Sequence, residues 1–518
     1  MDINKTIKDK ISDFLISKYD INLEKIEVFK TKKEFEGDIT VVIFPLVKIL
    51  KTSPDDVGKK IGNLLVNNLD YVEKFNQIKG FVNLTICNDF YITFLNDTIL
   101  NDNFGFISPK KNSPKILVEF SSPNTNKPLH LGHIRNILLG SSISKILYAN
   151  GKNIHRTQII NDRGIHICKS IVAWLNFGKN SNPNHNKEKG DHFVGKYYVL
   201  FDKKHKEEID VLIKQGKDSE YAEKNAPIFL QAKELLLKWE SGDEKAVNLW
   251  KKMNSWVYEG FEKTYKELSV AFDSNYYESD TYLIGKEIIK KGIEEGVFLK
   301  EKDGSVWVDL TEDGLDKKIL LRSDGTSVYI TQDLGTAFLR FRDQPDMSGV
   351  IYTVGNEQDY HFKVLFKILE KLKFSWSNNL YHLSYGMVDL PSGKMKSREG
   401  TVVDADEIIL EMKHNASKLS DELGKISDYS VEEKNKLNKQ IGLAALKYYI
   451  LKVDPKKKIL FDPLASIDFN GNTGPFIQYT YARIQSLIIK SNFKPNMSKL
   501  NIEMNNKEKE LIKILVDF

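Results

Sequence analysis

The chain has 518 residues and a formal net charge of +5, with 76 Lys and Arg residues against 71 Asp and Glu residues. This length predicts about three domains that each bury a core. The chain is 41% hydrophobic and 28% charged, with 31 Gly and 14 Pro residues, which excludes the disordered, collagen-like and fibrous classes. The mild positive charge is compatible with a nucleic-acid partner and also with a lysine-rich solvated surface.

The two cysteines, Cys87 and Cys168, lie far apart and form no CxxC pair. This excludes a disulfide scaffold and the usual zinc spacings, so we expect a reducing compartment, the cytoplasm. The longest apolar run, residues 41–50, is broken by Pro45 and Lys48 and is far shorter than the ~18 residues of a membrane span. We predict no membrane segment and no tightly bound metal.

Arginine is scarce, since only eight of the 76 basic residues are arginines. The planar guanidinium binds carboxylate or phosphate through two parallel hydrogen bonds, so an arginine kept in a lysine-rich chain is consistent with a need for that geometry. The eight are Arg135, Arg156, Arg163, Arg322, Arg340, Arg342, Arg398 and Arg483.

The first 107 residues predict a small α+β domain. A helical pattern runs through Ile11 and Phe14, another follows Pro54, and β-rich runs occupy residues 39–44 and 81–86. A segment rich in Pro, Lys and Ser, residues 108–114, then predicts a linker and a domain boundary.

Residues 115–406 predict a Rossmann-like α/β domain with a parallel sheet. A buried strand at 115–120 leads through a turn-rich loop to a helix at about 131–148, and a second strand follows at 154–160. This order makes one βαβ crossover unit. Parallel sheets of this kind bind ligands at the carboxyl ends of their strands.

The same domain is interrupted by a predicted helical insertion at about 176–265. Strand signals resume at 298–310, 328–330, 350–354 and 383–388, and helical patterns lie at 334–342 and 361–373. Residues 407–518 predict an α-helical bundle domain with one Gly-rich turn, and the chain ends at Phe518 inside this domain, which therefore looks incomplete.

A pair of histidines marks the start of the helix that follows the first strand. The sequence lacks GxGxxG, GxxxxGK[ST] and HExxH, but it carries His130-Leu131-Gly132-His133 at this junction. A helix N-terminus presents unpaired N–H groups and partial positive charge, which suits phosphate. Gly132 would leave room for a flat base, and both imidazoles would lie on the phosphates; a helix cap formed by chance is the alternative.

A short basic loop bracketed by glycines, residues 393–400, follows the strand signal at 383–388. Glycine hinges permit such a loop to close, which would bring Lys394 and Arg398 to the phosphates from the side opposite the histidines. A solvated charged hairpin is the alternative.

Together these segments resemble the paired HIGH and KMSKS signatures of class I aminoacyl-tRNA synthetases. Residues 119–136, EFSSPNTNKPLHLGHIRN, and the 471–487 run GNTGPFIQYTYARIQSL narrow the resemblance to arginyl-tRNA synthetase, and it covers nearly the whole chain. The resemblance implies an arginine–tRNA ligase that uses Mg-ATP, L-arginine and tRNA(Arg), forms arginyl-adenylate and pyrophosphate, and then charges the tRNA. It further implies a monomer that needs tRNA for amino-acid activation.

An arginine-selective site needs carboxylates and neutral acceptors, because a guanidinium has only donors. By resemblance, Glu119 and Asp333 hold the guanidinium, Asn124 and Gln358 bind the α-amino and carboxylate end, and Tyr329 lines the pocket. The resemblance also implies contacts to arginine from Ser121 and His133. The alternatives are surface carboxylates and a core tyrosine.

The implied ATP site comprises Gly132, His130, His133, Met387, Lys394 and Ser397. The basic loop departs from KMSKS, because Lys396 and Ser397 stand where the family has Ser and Lys. Lys127 resembles the compensating cation of family members with this change, and its catalytic role is a hypothesis.

The implied tRNA contacts in the helical domain are Tyr479, Tyr481 and Arg483, whose aromatic and guanidinium surfaces suit stacking on unpaired bases. Burial in a helix bundle is the alternative for these residues. Two other functions remain: another adenylyl-transferring enzyme of the same fold, and a non-catalytic tRNA-binding paralogue or truncated fragment.

Overall fold

The computed structural model describes residues 2–23, 26–178, 181–389, 403–422, 429–468, 471–492 and 503–518. The chain divides into two compact units, one formed by Met1–Gly105 with Lys490–Phe518 and the other by Phe106–Ile489. None of the helices in the described ranges combines the length and apolar composition that a membrane crossing requires.

The first unit is an antiparallel sheet covered by helices, as the α+β pattern predicts. Its strands are β1 (Val28–Lys30), β2 (Ile39–Val42), β3 (Val72–Ile78) and β4 (Phe81–Ile86), and the sheet order is β1-β2-β4-β3. Its first helices are α1 (Ile3–Tyr19), α2 (Phe44–Leu50), α3 (Pro54–Asn68) and α4 (Asn88–Thr98). Helix α3 shows the underlying physics: Ser53 caps its N-terminus, and Val57, Ile61 and Leu65 at helical spacing are buried in the core.

The second unit is built on a parallel sheet. Its strands are β5 (Lys115–Glu119), β6 (Asn153–Ile160), β7 (Ser274–Tyr277), β8 (Leu299–Lys300), β9 (Val306–Val308), β10 (Lys318–Leu321), β11 (Met347–Gly355), β12 (Leu380–Tyr385), β13 (Val388–Asp389) and β14 (Ile459–Leu460). Five of them form the central sheet in the order β12-β11-β5-β6-β7, and every pairing is parallel. The strand order reverses between β5 and β11, where folds of this class bind their ligands.

The helices of this unit flank the sheet or extend from it. They are α5 (Leu131–Ala149), α6 (Ile165–Phe177), α7 (Pro183–Asn186), α8 (Gly190–Lys214), α9 (Ser219–Asn225), α10 (Pro227–Glu240), α11 (Glu244–Leu268), α12 (Glu278–Glu294), α13 (Tyr329–Asp343), α14 (Asp359–Lys371), α15 (Ala405–Glu422), α16 (Val431–Leu451) and α17 (Gly474–Ser491). Helix α5 packs closely on the end of β5. Gly140 makes this approach possible, since a Cβ atom there would come within 2.2 Å of the Phe120 ring. The predicted Rossmann-like class is confirmed.

Two of the predicted strands are wrong in detail. The signal at 298–310 splits into β8 and β9, which pair with β10 in a separate antiparallel sheet. Residues 328–330 form no strand: Val328 precedes α13, and its N–H donates to the Thr331 hydroxyl at 3.2 Å. Their β-branched and aromatic side chains favour a strand locally, but burial of Ile330 and Leu334 at helical spacing decides for the helix.

The last helix, α18 (Asn506–Asp517), lies with the first unit, whereas its sequence pattern predicts that it belongs to a helical domain spanning 407–518. Ile512 is buried in the core of that unit, and Lys509 donates to the Ile86 carbonyl at 3.2 Å. A short amphipathic helix is placed by the apolar surface available to it, which its own sequence does not specify. The predicted division into three domains remains a prediction.

Candidate active site

The two signature histidines meet at the N-terminus of α5. His130 is the N-cap residue, and its Nδ1 accepts the Gly132 N–H at 3.1 Å, while Nδ1 of His133 accepts the His130 N–H at 3.1 Å. The ring centroids lie 3.8 Å apart. Because both Nδ1 atoms accept hydrogen bonds, the neutral rings carry their protons on Nε2. The same two histidines therefore cap the helix through Nδ1 and present N–H donors at Nε2.

Both histidines are uncharged near neutral pH. Burial, reinforced by the Lys127 charge, lowers the pKa of His130 to about 4. Burial, with the neighbouring His130 and Lys127, holds the pKa of His133 well below its usual value. Lys127 therefore lies within electrostatic reach of both rings, and the cluster offers neutral donors beside one fixed cation.

Gly132 lies directly against the His130 ring. A Cβ atom at this position would lie 3.0 Å from the His130 ring. The predicted role of Gly132, a place for a flat base against the helix, is compatible with this geometry.

The chain returns to this site after the basic loop. Leu131 N–H donates to the Val403 carbonyl at 3.1 Å, and Ala405 N–H donates to the Leu129 carbonyl at 2.9 Å. The predicted loop residues Lys394, Lys396, Ser397 and Arg398 lie outside the described residues. Met387, just before them, is 44% exposed.

Glu119 ends β5, at the point where the strand order reverses. Its carboxylate is buried and forms an ion pair with Arg340, which is also fully buried on α13. Burial raises the pKa of Glu119 against the opposing effect of the Arg340 charge. The guanidinium that contacts Glu119 therefore belongs to Arg340 of the same chain and not to a substrate arginine.

Ser121 occupies a strained turn beyond β5, with φ at 77°. Its hydroxyl lies 2.7 Å from the Tyr265 hydroxyl, and its N–H donates to Asn136 Oδ1 at 2.5 Å. The Asn136 amide also donates to the Thr353 carbonyl at 2.7 Å and to the Tyr385 hydroxyl at 3.0 Å. A single buried amide thus joins the carboxyl ends of three strands, and Ser121 lines neither cavity described below.

A cavity of about 600 Å³ opens beside this edge of the sheet. Among its walls are three predicted residues, Asn124, Lys127 and Tyr329. Four further charged residues line it, none of them assigned a role from the sequence: Arg163, Glu240, Glu278 and Arg322. A second cavity of about 320 Å³ lies against His130, and Lys127 lines both.

Glu278 is the functional candidate that sequence reasoning missed. It begins α12 directly after β7, at the same carboxyl edge of the sheet as Glu119. Burial raises its pKa to about 8, and the Asp333 charge adds to the shift. The signal available in the sequence was a carboxylate immediately after a strand, but β7 itself was not predicted.

Asp333 and Gln358 lie near the same edge. Asp333, one turn into α13, accepts a hydrogen bond from His361 Nε2 at 2.6 Å and acts electrostatically on both Glu119 and Glu278. Gln358 is exposed at the end of a 3₁₀ turn that follows β11. Neither side chain lines the larger cavity.

A charged cluster joins the insertion to the start of α15. Asp191, His192 and Asp406 lie close enough to share a cation, but the Lys189 ammonium is 3.1 Å from Asp191 and 2.5 Å from Asp406. A divalent ion would have to displace this ammonium. The cluster therefore fits an internal ion-pair network.

Helix α17 carries the predicted tRNA contacts on an exposed surface. Tyr479 is 38% and Tyr481 65% exposed, and the Arg483 guanidinium lies 5.7 Å from the centroid of the Tyr479 ring. Among the described residues, these side chains are not part of a helix-bundle core.

The chain is similar to known proteins over nearly its whole length. The family model "tRNA synthetases class I (R), catalytic domain" matches residues 95–462, and "Arginyl tRNA synthetase N terminal domain" matches residues 1–86. The arginine–tRNA ligase of Flavobacterium psychrophilum is 58% identical, with 99% of this chain and 87% of the relative covered. That of Bacteroides fragilis is 51% identical with the same coverage.

Solved structures show the same fold. The arginyl-tRNA synthetase of Thermus thermophilus superposes with a TM-score of 0.80 at 22% identity, covering 100% of this chain and 86% of that one. The enzyme of Plasmodium falciparum gives 0.75 at 21% identity, covering 99% and 86%. Family models that match most of the sequence, and relatives at more than half identity, establish the assignment: the chain belongs to the arginyl-tRNA synthetases, the class I arginine–tRNA ligases.

Proposed function

We propose that the cleft between β5 and β11 catalyses both steps of arginylation. In the first step, a carboxylate oxygen of L-arginine attacks the α-phosphorus of Mg-ATP, the bond to the β-phosphate oxygen breaks, and pyrophosphate leaves. In the second, a ribose hydroxyl of the terminal adenosine of tRNA(Arg) attacks the arginyl carbonyl carbon and AMP leaves. Neither step requires a protein nucleophile, so positioning and electrostatics carry catalysis.

The observation that carries this proposal is the neutral histidine pair at the start of α5. Its Nε2 protons are donors that need no proton transfer near neutral pH, and they stand beside the partial positive charge of a helix N-terminus. Charge that develops on the phosphates would be stabilised by His130, His133 and Lys127. Lys394 and Arg398 of the basic loop remain contributors predicted from the sequence.

The arginine pocket needs net negative charge, and Glu119 supplies little because Arg340 already neutralises it. We assign that charge to Asp333 and Glu278, with Tyr329 as a wall and with Asn124 and Gln358 at the α-amino and carboxylate end. Desolvation and the neighbouring Asp333 and Asp162 charges raise the pKa of Glu278 although the Arg163 charge opposes them, and a substrate guanidinium would supply further positive charge beside it. Lysine, with one compact ammonium, would leave one of these carboxylates without a partner.

The exposed Tyr479, Tyr481 and Arg483 of α17 support the proposal that this helix contacts unpaired tRNA bases. Mg²⁺ enters with ATP as part of the substrate complex. We also propose that the protein acts as a monomer in the cytoplasm.

Charging of tRNA(Arg) with radiolabelled arginine tests this function. We expect acid-precipitable arginyl-tRNA, formed with one AMP and one pyrophosphate for each product, and no product when lysine replaces arginine. ATP hydrolysis without charging, under conditions in which tRNA(Arg) is bound, would contradict the proposal.

A further inference from the structure

Arg135, on α5 one turn after Gly132, is one of two arginines whose side chains are fully buried in the described residues. The other, Arg340, has a carboxylate partner in Glu119. Arg135 instead donates from Nη2 to two backbone carbonyls, those of Pro455 at 2.8 Å and Lys457 at 2.7 Å. Its guanidinium also lies 5.9 Å from the centroid of the Tyr385 ring, but no carboxylate is hydrogen-bonded to it among the described residues. A charged group is costly to bury without an opposite charge, so a positional role is the simplest reason for its presence.

The carbonyls that Arg135 binds belong to the turn between α16 and β14. That turn also supports the chain around Met387: Gly386 N–H donates to the same Pro455 carbonyl at 2.9 Å, and Ile459 N–H donates to the Met387 carbonyl at 3.1 Å. The pairing continues as the parallel contact of β13 with β14. Arg135 therefore connects α5 to the backbone that carries Met387.

We propose that Arg135 is a positioning residue for ATP. It sets the separation between α5, where Gly132 lies, and the Gly386–Asp389 backbone, where Met387 lies, and so fixes the slot that the adenine occupies between them. The turn at 455–457, which follows the helices C-terminal to the sheet domain, thereby becomes part of the ATP site. This inference rests on the proposed placement of ATP against Gly132 and Met387.

The test compares two arginine-to-lysine variants in the presence of tRNA(Arg). Lysine keeps the charge but can reach only one carbonyl without the planar geometry. For Arg135→Lys we expect the ATP Kd and the ATP KM in pyrophosphate exchange to rise about tenfold, the loss of one charge-assisted hydrogen bond, with the arginine KM unchanged. For the matched variant Arg340→Lys, whose partner is the Glu119 carboxylate and not the turn at 455–457, we expect an unchanged ATP Kd.

Gly386→Ala perturbs the same contact without changing Arg135, because its Cβ would lie 2.8 Å from the Lys457 carbonyl carbon. It should raise the ATP Kd selectively as well, which keeps the proposal testable if Arg135→Lys fails to fold. Equal rises in both KM values, or a lower kcat with both KM values unchanged, would overturn the positioning role. Direct ATP binding separates this result from failure of the proposed function, which would appear as absent exchange in the unmodified protein.

Discussion

At the scale of single residues, the active-site chemistry depends on side chains whose pKa differs from the usual value. His130 and His133 are neutral because they are buried beside Lys127, and each uses Nδ1 to cap the helix. The Nδ1 edge of each ring therefore stabilises the fold, and the Nε2 N–H can donate to substrate. Substitution can separate the capping role of Nδ1 from the donor role of Nε2.

For His133, asparagine and glutamine replace different ring atoms. His133→Asn keeps an acceptor near the Nδ1 position and removes the Nε2 donor, so we expect an unchanged Tm and a fall of about 10²–10³ in the rate of pyrophosphate exchange. His133→Gln keeps a donor near Nε2 but loses the cap, so we expect a loss of about 1 kcal/mol in the free energy of unfolding and a smaller rate effect. Exchange at the unmodified rate in His133→Asn would refute the donor role.

Glu278 predicts a pH dependence for arginine binding. Its pKa of about 8 leaves it mostly protonated at pH 7, whereas a guanidinium binds the ionised form. The stabilisation is therefore present above pH 8 and is lost as the pH falls, so the arginine KM should rise about eightfold between pH 8.5 and pH 7.

Glu278→Gln should remove this slope and leave the arginine KM high throughout. Glu240→Gln is the matched control, since Glu240 lines the same cavity but is paired with Arg163 at 3.3 Å, and it should retain the slope. A slope that persists in Glu278→Gln would assign the titration to another group.

The sequence identifies residues that lie in contiguous motifs, such as the histidine pair and Lys127. It does not identify partners distant in the chain. The pairing of Glu119 with Arg340 joins a strand end to a helix more than 200 positions away, and the burial that perturbs Glu278 depends on packing that no local pattern contains. The assignment of Glu119 to a substrate guanidinium did not include this internal partner.

At the scale of secondary-structure elements, α5 holds the edge of the sheet together. Its Asn136 is bonded to the ends of β5, β11 and β12, and Gly140 lets the helix approach Phe120. Helix α5 is therefore both the source of the histidine donors and the element that sets the strand ends beside them.

Asn136→Leu should destabilise the protein strongly. Leucine has a similar volume but leaves the Ser121 N–H and the Thr353 carbonyl buried without a partner, so we expect a loss of about 2–5 kcal/mol in the free energy of unfolding. Asn150→Leu at the exposed end of the same helix should change it by less than about 0.5 kcal/mol. Denaturant titration of the two variants measures both values, and equal stabilities would show that the contacts of Asn136 contribute nothing.

Helices and strands with a strong hydrophobic periodicity could be predicted from the sequence. Those whose conformation depends on packing against distant residues could not. The strand predicted at 154–160 is observed as Asn153–Ile160, and the helix predicted at 131–148 as Leu131–Ala149. The strand signal at 328–330 failed because three residues with high β propensity start a helix whose other apolar residues are buried at helical spacing.

At the scale of the whole molecule, most of the described arginines occupy buried, cavity-lining or ion-paired positions. Of the seven in the described residues, Arg135 and Arg340 are fully buried, Arg163 and Arg322 line the large cavity, and Arg156 forms an ion pair with Asp273 at 2.8 Å. This agrees with the expectation drawn from composition, although the individual partners could come only from the structure.

Activation of arginine by ATP in this cleft is measured by pyrophosphate exchange into ATP, with arginine or lysine as substrate and with or without tRNA(Arg). We expect exchange with arginine and tRNA(Arg) together, and none with lysine. Exchange that is equal for the two amino acids, or no exchange with arginine while ATP, arginine and tRNA(Arg) all bind, would contradict it.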